Sequence, residues 1–177
     1  MSELIEENGV KVQFPDNNFF RFGSGNCKSY ESLKQLGVKE VDVCWFDVKN
    51  DTLHLIELKA FYNTENDKYY NQDLEKEDLV NKWISDLEKK TLHAVCMVTQ
   101  NRSNTQTCMN NLLPNNNTKI NVSHVVKIKP EQAEYLGIMQ DKLRQKLQPI
   151  LNIFSISSVT VINYDSAVKN KTTHWIV

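Results

Sequence analysis

The chain has 177 residues, a formal net charge of −1, 40% apolar side chains and 24% charged side chains. This size and composition predict one globular domain with a sizeable core, and they exclude a disordered or fibrous chain. No apolar stretch approaches the ~20 residues of a membrane span, and Met1–Glu7 lacks the apolar core of a signal peptide. We therefore expect a cytoplasmic protein with no membrane contact.

Charge is divided unevenly along the chain. Residues 1–100 carry 12 basic and 18 acidic side chains, whereas residues 101–177 carry 9 basic and 4 acidic ones. The whole chain is therefore not a basic nucleic-acid binder, but its second half can supply a positive surface. The four cysteines form no CxxC pair, which argues against a disulfide framework or a thiolate zinc site.

A short helix followed by a β-hairpin is the clearest pattern in the first third of the chain. Apolar residues at helical spacing predict a helix over Lys28–Leu36, with Gly37 as its stop. Glu40–Val48 and Thr52–Phe61 are β-rich runs, and the few turn residues between them predict a tight hairpin.

The remaining elements alternate between predicted helices and strands. We expect an amphipathic helix over 73–89, a strand covered on both faces over 92–99, a strand with one wet face over 120–128, a helix opened by Pro130 and ended by Pro149, and a last strand over 158–164. The predicted fold is α/β, a single domain with a mixed β-sheet flanked by helices.

The hairpin gathers the residues that can carry chemistry. A two-residue turn at Asn50 and Asp51 would place Asp42 opposite Lys59, so that Asp42, Glu57 and Lys59 point to one face. Ionic groups on an apolar ribbon cost several kcal/mol each unless they are paired or bound to a metal. The two carboxylates can hold Mg²⁺ or Mn²⁺, and the amine of Lys59 can stabilise a developing phosphate charge or position the attacking water. These groups together meet the needs of metal-assisted phosphodiester hydrolysis.

These residues resemble the motif of the PD-(D/E)XK nuclease superfamily, which has the restriction-endonuclease-like fold. The resemblance covers about residues 26–99, with Val41 in place of the proline. It implies that Asp42 and Glu57 bind the metal, that the carbonyl of Leu58 is a further ligand, and that Lys59 assists the nucleophile. It also implies an additional acid on the preceding helix, for which Glu31 is the best candidate, with Glu40 behind it.

The resemblance implies a metal-dependent endo- or exonuclease, with DNA favoured over RNA as substrate. The small size suggests that specificity comes from a homodimer or a partner protein, as in an accessory or defence nuclease. A candidate nucleic-acid surface is the stretch 101–129, which lacks Asp and Glu and contains Arg102, Lys119, Lys127 and Lys129.

Other interpretations remain open for the same residues. Asp42, Glu57 and Lys59 can form a structural cross-strand ion pair, although this explains one acid and not two. Glu31 can be an exposed helix residue, and the basic stretch can be a loop followed by the wet face of an edge strand. The rival function is a non-catalytic interaction or adaptor module with a degenerate nuclease-like fold.

Overall fold

A computed structural model describes residues 3–23, 28–61, 76–102 and 117–177. The strands are β1 (Leu4–Glu7), β2 (Val10–Gln13), β3 (Phe19–Phe20), β4 (Val43–Asp47), β5 (Thr52–Ala60), β6 (Lys119–Lys127) and β7 (Ile156–Asn163). The helices are α1 (Lys28–Gln35), α2 (Lys76–Arg102), α3 (Tyr135–Ile153) and α4 (Tyr164–Asn170).

A five-stranded mixed sheet in the order β3-β4-β5-β6-β7 forms the centre of the fold. The pairs β3–β4 and β4–β5 are antiparallel, whereas β5–β6 and β6–β7 are parallel. The parallel pairs require crossover connections, and helices α2 and α3 lie in them. The predicted fold class, a mixed sheet flanked by helices, is confirmed.

Each face of the sheet packs on its own apolar cluster. One cluster unites the sheet with α1, α2 and α3, through buried residues such as Tyr30, Trp83 and Leu143. The other unites it with the β1–β2 hairpin, α4 and the C-terminal residues, through buried residues such as Val12, Trp45 and Trp175. We call these the helical face and the hairpin face.

The expected wet face of the strand over 120–128 is wrong. Strand β6 lies between β5 and β7 and is buried along most of its length. Its side chains at Asn121, Ser123 and Val125 are half-buried or buried, because the β1–β2 hairpin and α4 cover the hairpin face. Neither covering element is predicted by the apolar periodicity of its short sequence.

The hairpin register differs from the prediction by two residues. Val43 pairs with Ile56 and Asp47 with Thr52, so four residues, 48–51, form the connection instead of two. The connection is a 3-10 turn, in which Asp47 accepts a hydrogen bond from the backbone of Asn50. Cys44 therefore lies opposite Leu55 and not opposite Glu57. Because the shift is an even number of residues, every side chain keeps its predicted face.

Helix α2 replaces a predicted helix and strand. It runs from Lys76 to Arg102 without interruption, so the strand expected over 92–99 is wrong. Ala94, Val95 and Val98 are buried and Cys96 is exposed, as on one face of a helix. A short apolar run does not by itself distinguish a buried strand from a buried helix segment, and no turn residue separates it from the preceding helix.

The bounds of α3 also differ from the prediction at both ends. Pro130 opens a single 3-10 turn, Pro130–Gln132, and the helix begins at Tyr135. Pro149 lies inside the helix, which continues to Ile153. Pro149 and Gln145 are exposed, so water can satisfy the carbonyl group that the proline leaves without a partner.

Among the described helices, none has the combination of length and apolar character that crossing a membrane would require.

Thiol labelling tests the corrected course of α2. A strand covered on both faces would protect Cys96, whereas the helix exposes it and the sheet buries Cys44 completely. We expect Cys96→Ala to remove one fast-reacting thiol from the native protein and Cys44→Ala to remove none. Equal thiol counts for Cys96→Ala and wild type would contradict the helical assignment.

Candidate active site

Asp42 lies just before the first paired residue of β4, where the β-ladder to β5 ends. Its Oδ2 atom accepts a hydrogen bond from the backbone N–H of Leu58 at 2.7 Å. The carboxylate thus replaces the backbone acceptor that a longer β4 would have offered. This contact holds the half-buried Asp42 beside the two residues of the predicted motif, Glu57 and Leu58.

Glu57 is completely buried on the helical face of β5, among side chains of the apolar cluster. Its Oε1 atom lies 2.5 Å from the ammonium nitrogen of Lys90, which comes from α2. Its Oε2 atom is buried and no donor group of the protein contacts it, while the side chains of Glu57 and Asp42 lie within hydrogen-bond reach of each other. The two oxygens of this carboxyl group are therefore in different situations, one paired with a cation and the other without a donor.

The electrostatics of the pair follow from burial and from Asp42. Burial and the neighbouring Asp42 carboxylate raise the pKa of Glu57 to about 8, against the opposing influence of Lys90. Burial tends to lower the pKa of Lys90, but the carboxylates of Glu57, Asp42 and Glu40 more than offset it and raise this pKa. Lys90 is thus a stable ammonium group that contacts Glu57 and is favoured by the charges of Asp42 and Glu40.

His124 adds a neutral imidazole to the same buried layer. It is the β6 residue paired with Glu57 of β5, and it is completely buried. Its Nε2 atom lies 3.0 Å from Oγ1 of Thr91, the residue after Lys90 on α2. Burial, together with the nearby Lys90, lowers the pKa of His124 to about 3, so the ring is neutral under ordinary conditions.

The predicted additional acid has two candidates with different outcomes. Glu31 belongs to α1, but its side chain lies outside the described residues. Glu40 is described, and burial raises its pKa in spite of hydrogen bonds with Tyr30 and Gly23. Its Oε2 atom is buried without a partner, and its charge acts on Lys90. Among the described acids, Glu40 therefore acts on Lys90 together with Glu57 and Asp42.

The carbonyl group of Leu58 lies at the open edge of β5 beyond the end of β4. It accepts a hydrogen bond of 3.1 Å from the side-chain amide of Asn8, in the turn of the β1–β2 hairpin. Arg21 donates to the carbonyl oxygen of Asp42 at 3.1 Å and forms an ion pair with Glu7. The N-terminal hairpin therefore fixes the edge on which Asp42 and Leu58 meet.

Lys59 lies on the same face of β5 as Glu57, two residues further along the strand. Three of the predicted residues, Asp42, Glu57 and Lys59, thus share one face of the sheet, although Asp42 is not opposite Lys59 as predicted.

The carboxylates of Asp42 and Glu57 fit a hard divalent cation that takes only part of its ligands from the protein. Within the described ranges, no three His, Cys, Asp or Glu side chains converge into a metal-binding group. Asp42 and Glu57 are close enough for the charge of Asp42 to act on Glu57, and Oε2 of Glu57 has no donor group of the protein against it. Mg²⁺ is commonly held by one or two carboxylates, with water and substrate phosphates as its other ligands.

The predicted nucleic-acid stretch does not form one surface in its described part. Lys119 pairs with Thr52 near the hairpin turn, and Lys127 pairs with Ala60 at the other end of β6. The Lys127 ammonium lies 5.7 Å from the ring centre of Tyr164, in contact with α4. Lys129 is half-buried before the 3-10 turn, and the side chain of Arg102 lies outside the described residues.

The chain matches no known protein-family model, no curated protein and no solved structure.

Lys90, Thr91 and His124 are the residues of this cluster that the sequence analysis missed. Lys90 and Thr91 continue the buried stripe of α2, which runs through Leu87 to Ala94. A cation and a hydroxyl in an apolar helical stripe are the signal that would have found them. Dividing α2 into a helix and a strand between residues 89 and 92 hid this signal.

The raised pKa of Glu57 predicts a pH dependence of stability. Between pH 6.5 and 8 the folded protein retains a proton on Glu57 that the unfolded chain has released, so stability falls as pH rises. His124 has the opposite sign, but its effect falls between about pH 3 and 6.5. We expect the free energy of unfolding, measured with denaturant in the presence of a chelator, to decrease across pH 6.5–8.

A matched pair of variants isolates this effect. Glu57→Gln should flatten the decrease, whereas Glu88→Gln on α2, which breaks a more exposed ion pair with Lys146, should retain it. The same slope in both variants would show that Glu57 does not carry a raised pKa.

Proposed function

We propose that this protein is a divalent-metal-dependent nuclease of the PD-(D/E)XK type that hydrolyses phosphodiester bonds, with the restriction-endonuclease-like variant of the observed fold. One observation carries the proposal. Asp42 and the buried Glu57 meet at the end of a β-hairpin, beside an ammonium group, and one oxygen of Glu57 has no donor.

The buried carboxylates support a cation more readily than they support a structural ion pair alone. Lys90 compensates one oxygen of Glu57, but Asp42 still destabilises the charged form of Glu57. A divalent cation between Asp42 and Glu57 would replace this repulsion with attraction and would give Oε2 a cationic partner, as Lys90 gives one to Oε1. The Leu58 carbonyl can join it, since a carbonyl oxygen has a second lone pair besides the one that Asn8 uses.

Each residue of the site then has a distinct task. Asp42 and Glu57 would hold Mg²⁺ or Mn²⁺, which when bound polarises a phosphoryl oxygen and makes a water molecule more nucleophilic. Lys59, on the same face, would assist the attacking water or stabilise the phosphate charge. Glu31 stays a prediction as an additional acid, and Glu40 supports the same role from its position near Lys90.

The substrate proposal follows the resemblance and the size of the chain. We favour DNA over RNA, and we expect a homodimer or a partner protein to add the recognition surface that one small domain lacks. An accessory or defence role and a cytoplasmic location stay predictions. Lys119, Lys127 and Lys129 stay candidate contacts, but from separate positions on the fold.

The Lys90–Glu57 ion pair favours one rival function. Because it already compensates part of the buried charge, the site is also consistent with a non-catalytic adaptor that retains a degenerate nuclease-like fold. Such an adaptor would have no need for the unpartnered oxygen of Glu57 or for the repulsion from Asp42.

Cleavage assays test the proposed activity. With Mg²⁺ or Mn²⁺, wild-type protein should cleave plasmid, linear DNA or RNA, and a chelator should abolish cleavage. Glu57→Gln and Asp42→Asn should each lower the rate about 100-fold or more, because each removes a charge at the reacting centre. Glu88→Gln should retain the wild-type rate, as it makes the same chemical change on α2, away from the site. Equal trace cleavage by all proteins would indicate contamination and favour the adaptor.

Metal binding can be measured separately from cleavage. Titration with Mn²⁺, followed by electron paramagnetic resonance or calorimetry, should show a site in wild type and in Glu88→Gln. The affinity should fall at least ~10-fold in Glu57→Gln and in Asp42→Asn, which lose an anionic ligand. Unchanged affinity in both of these variants would contradict the proposed metal site.

A further inference from the structure

We propose that Lys90 of α2, rather than Lys59 of the sequence motif, supplies the ammonium group that donates to the scissile phosphate. This inference rests on the proposed nuclease function and assigns the residue that acts beside the metal-binding acids.

The unequal surroundings of the two Glu57 oxygens carry the inference. Oε1 contacts the Lys90 ammonium at 2.5 Å, whereas no donor group of the protein contacts Oε2. A cation bound at Oε2 would leave the contact with Lys90 intact. The ammonium group and the metal would then bind the two oxygens of one carboxyl group, so the ammonium group would be within reach of a phosphate oxygen bound to the metal.

Lys59 is less favourably placed for that task. It lies two residues beyond Glu57, which corresponds to about 7 Å along an extended strand. The Lys90 side chain, in contrast, touches Glu57 and is 23% exposed, so the ammonium group is anchored at a buried acid and still accessible from outside. Lys59 is better placed for a phosphate further along the bound strand.

The neighbours of Lys90 limit where its ammonium group can move. Thr91, the next residue of α2, contacts His124 of β6 at 3.0 Å, and both residues are completely buried. One turn away in either direction, Leu87 and Ala94 pack in the same apolar cluster. These contacts fix the position and rotation of α2 above Glu57, and thus the place from which Lys90 extends.

The chemistry needs a donor and not a base. In the hydrolysis, the oxygen of water forms a bond to phosphorus, one phosphorus–oxygen ester bond breaks, the water proton passes to solvent, and the leaving oxygen takes up a proton. Negative charge grows on the phosphoryl oxygens during this step. The Lys90 ammonium, anchored on Oε1 of Glu57, would donate a hydrogen bond to one of these oxygens and stabilise that charge.

The rate and the metal affinity of matched lysine variants test the assignment. The substrate is a DNA that wild type cleaves. We expect Lys90→Met to lower the single-turnover rate on it by roughly 100-fold, which is the typical cost of losing one such donor. Lys59→Met should lower it less than ~10-fold, and Lys82→Met, at an exposed position on the same helix, should have no effect. Mn²⁺ affinity should change by less than ~10-fold in all three, since none of them is a ligand.

Chemical rescue tests whether the ammonium group itself is what the rate requires at this position, and the unchanged Mn²⁺ affinity then argues against a role limited to holding Glu57 in place. Lys90→Cys treated with 2-bromoethylamine regains an ammonium group at the same distance, and its rate should rise at least ~10-fold above the untreated variant. Wild type treated in parallel controls for the other cysteines. Because this comparison is made within one variant, it decides the question even if Lys90→Met does not fold.

Three results would overturn the assignment. The first is cleavage by Lys90→Met at nearly the wild-type rate together with a large loss of rate in Lys59→Met. This result would assign the role to Lys59. The second is a loss of Mn²⁺ binding in Lys90→Met that accounts for its whole loss of rate. The third is absence of rescue in the alkylated, folded Lys90→Cys variant. Wild-type protein without metal-dependent cleavage would instead overturn the proposed function itself.

Discussion

The burial of one carboxyl group, that of Glu57, governs the arrangement around it. A charge in an apolar layer costs several kcal/mol unless partners compensate it. Here α2 provides Lys90 for one oxygen, while Asp42 approaches from just before the start of β4 and opposes the charge. The position of α2 over the sheet and the length of β4 are therefore both tied to this group. A protein needing only a stable core would place an apolar side chain there.

The order of the strands brings these groups together from distant parts of the chain. Strand β4 begins only at Val43, so the carboxylate of Asp42, and not a backbone carbonyl group, meets the N–H of Leu58. The parallel neighbour β6 places His124 beside Glu57, and the crossover through α2 returns Lys90 above both. The site is thus a property of the sheet topology and not of the hairpin alone.

The sequence predicts which side chains of the β4–β5 hairpin share a face, but it does not predict the register of the two strands. Side chains alternate along a strand, so Asp42 and Glu57 share a face for any even shift, and the longer 3-10 connection changed the pairing by two residues. Lys90 could not be placed, because an apolar run such as 92–99 fits a buried strand and a buried helix equally well. The elements that cover the other face of the sheet, β1, β2 and α4, could not be predicted, because each is too short to show a clear hydrophobic period.

The contact between Asn8 and Leu58 joins residues fifty positions apart, at the edge where the two acids meet. The first strands of the chain therefore serve as a brace for a cluster whose acidic members all come later. A shortened chain that begins after β2 would keep the β4–β5 hairpin together with Asp42, Glu57 and Glu40, yet it would expose this edge to water. The N-terminus is consequently a poor place to trim or to attach a bulky fusion when the protein is produced for study.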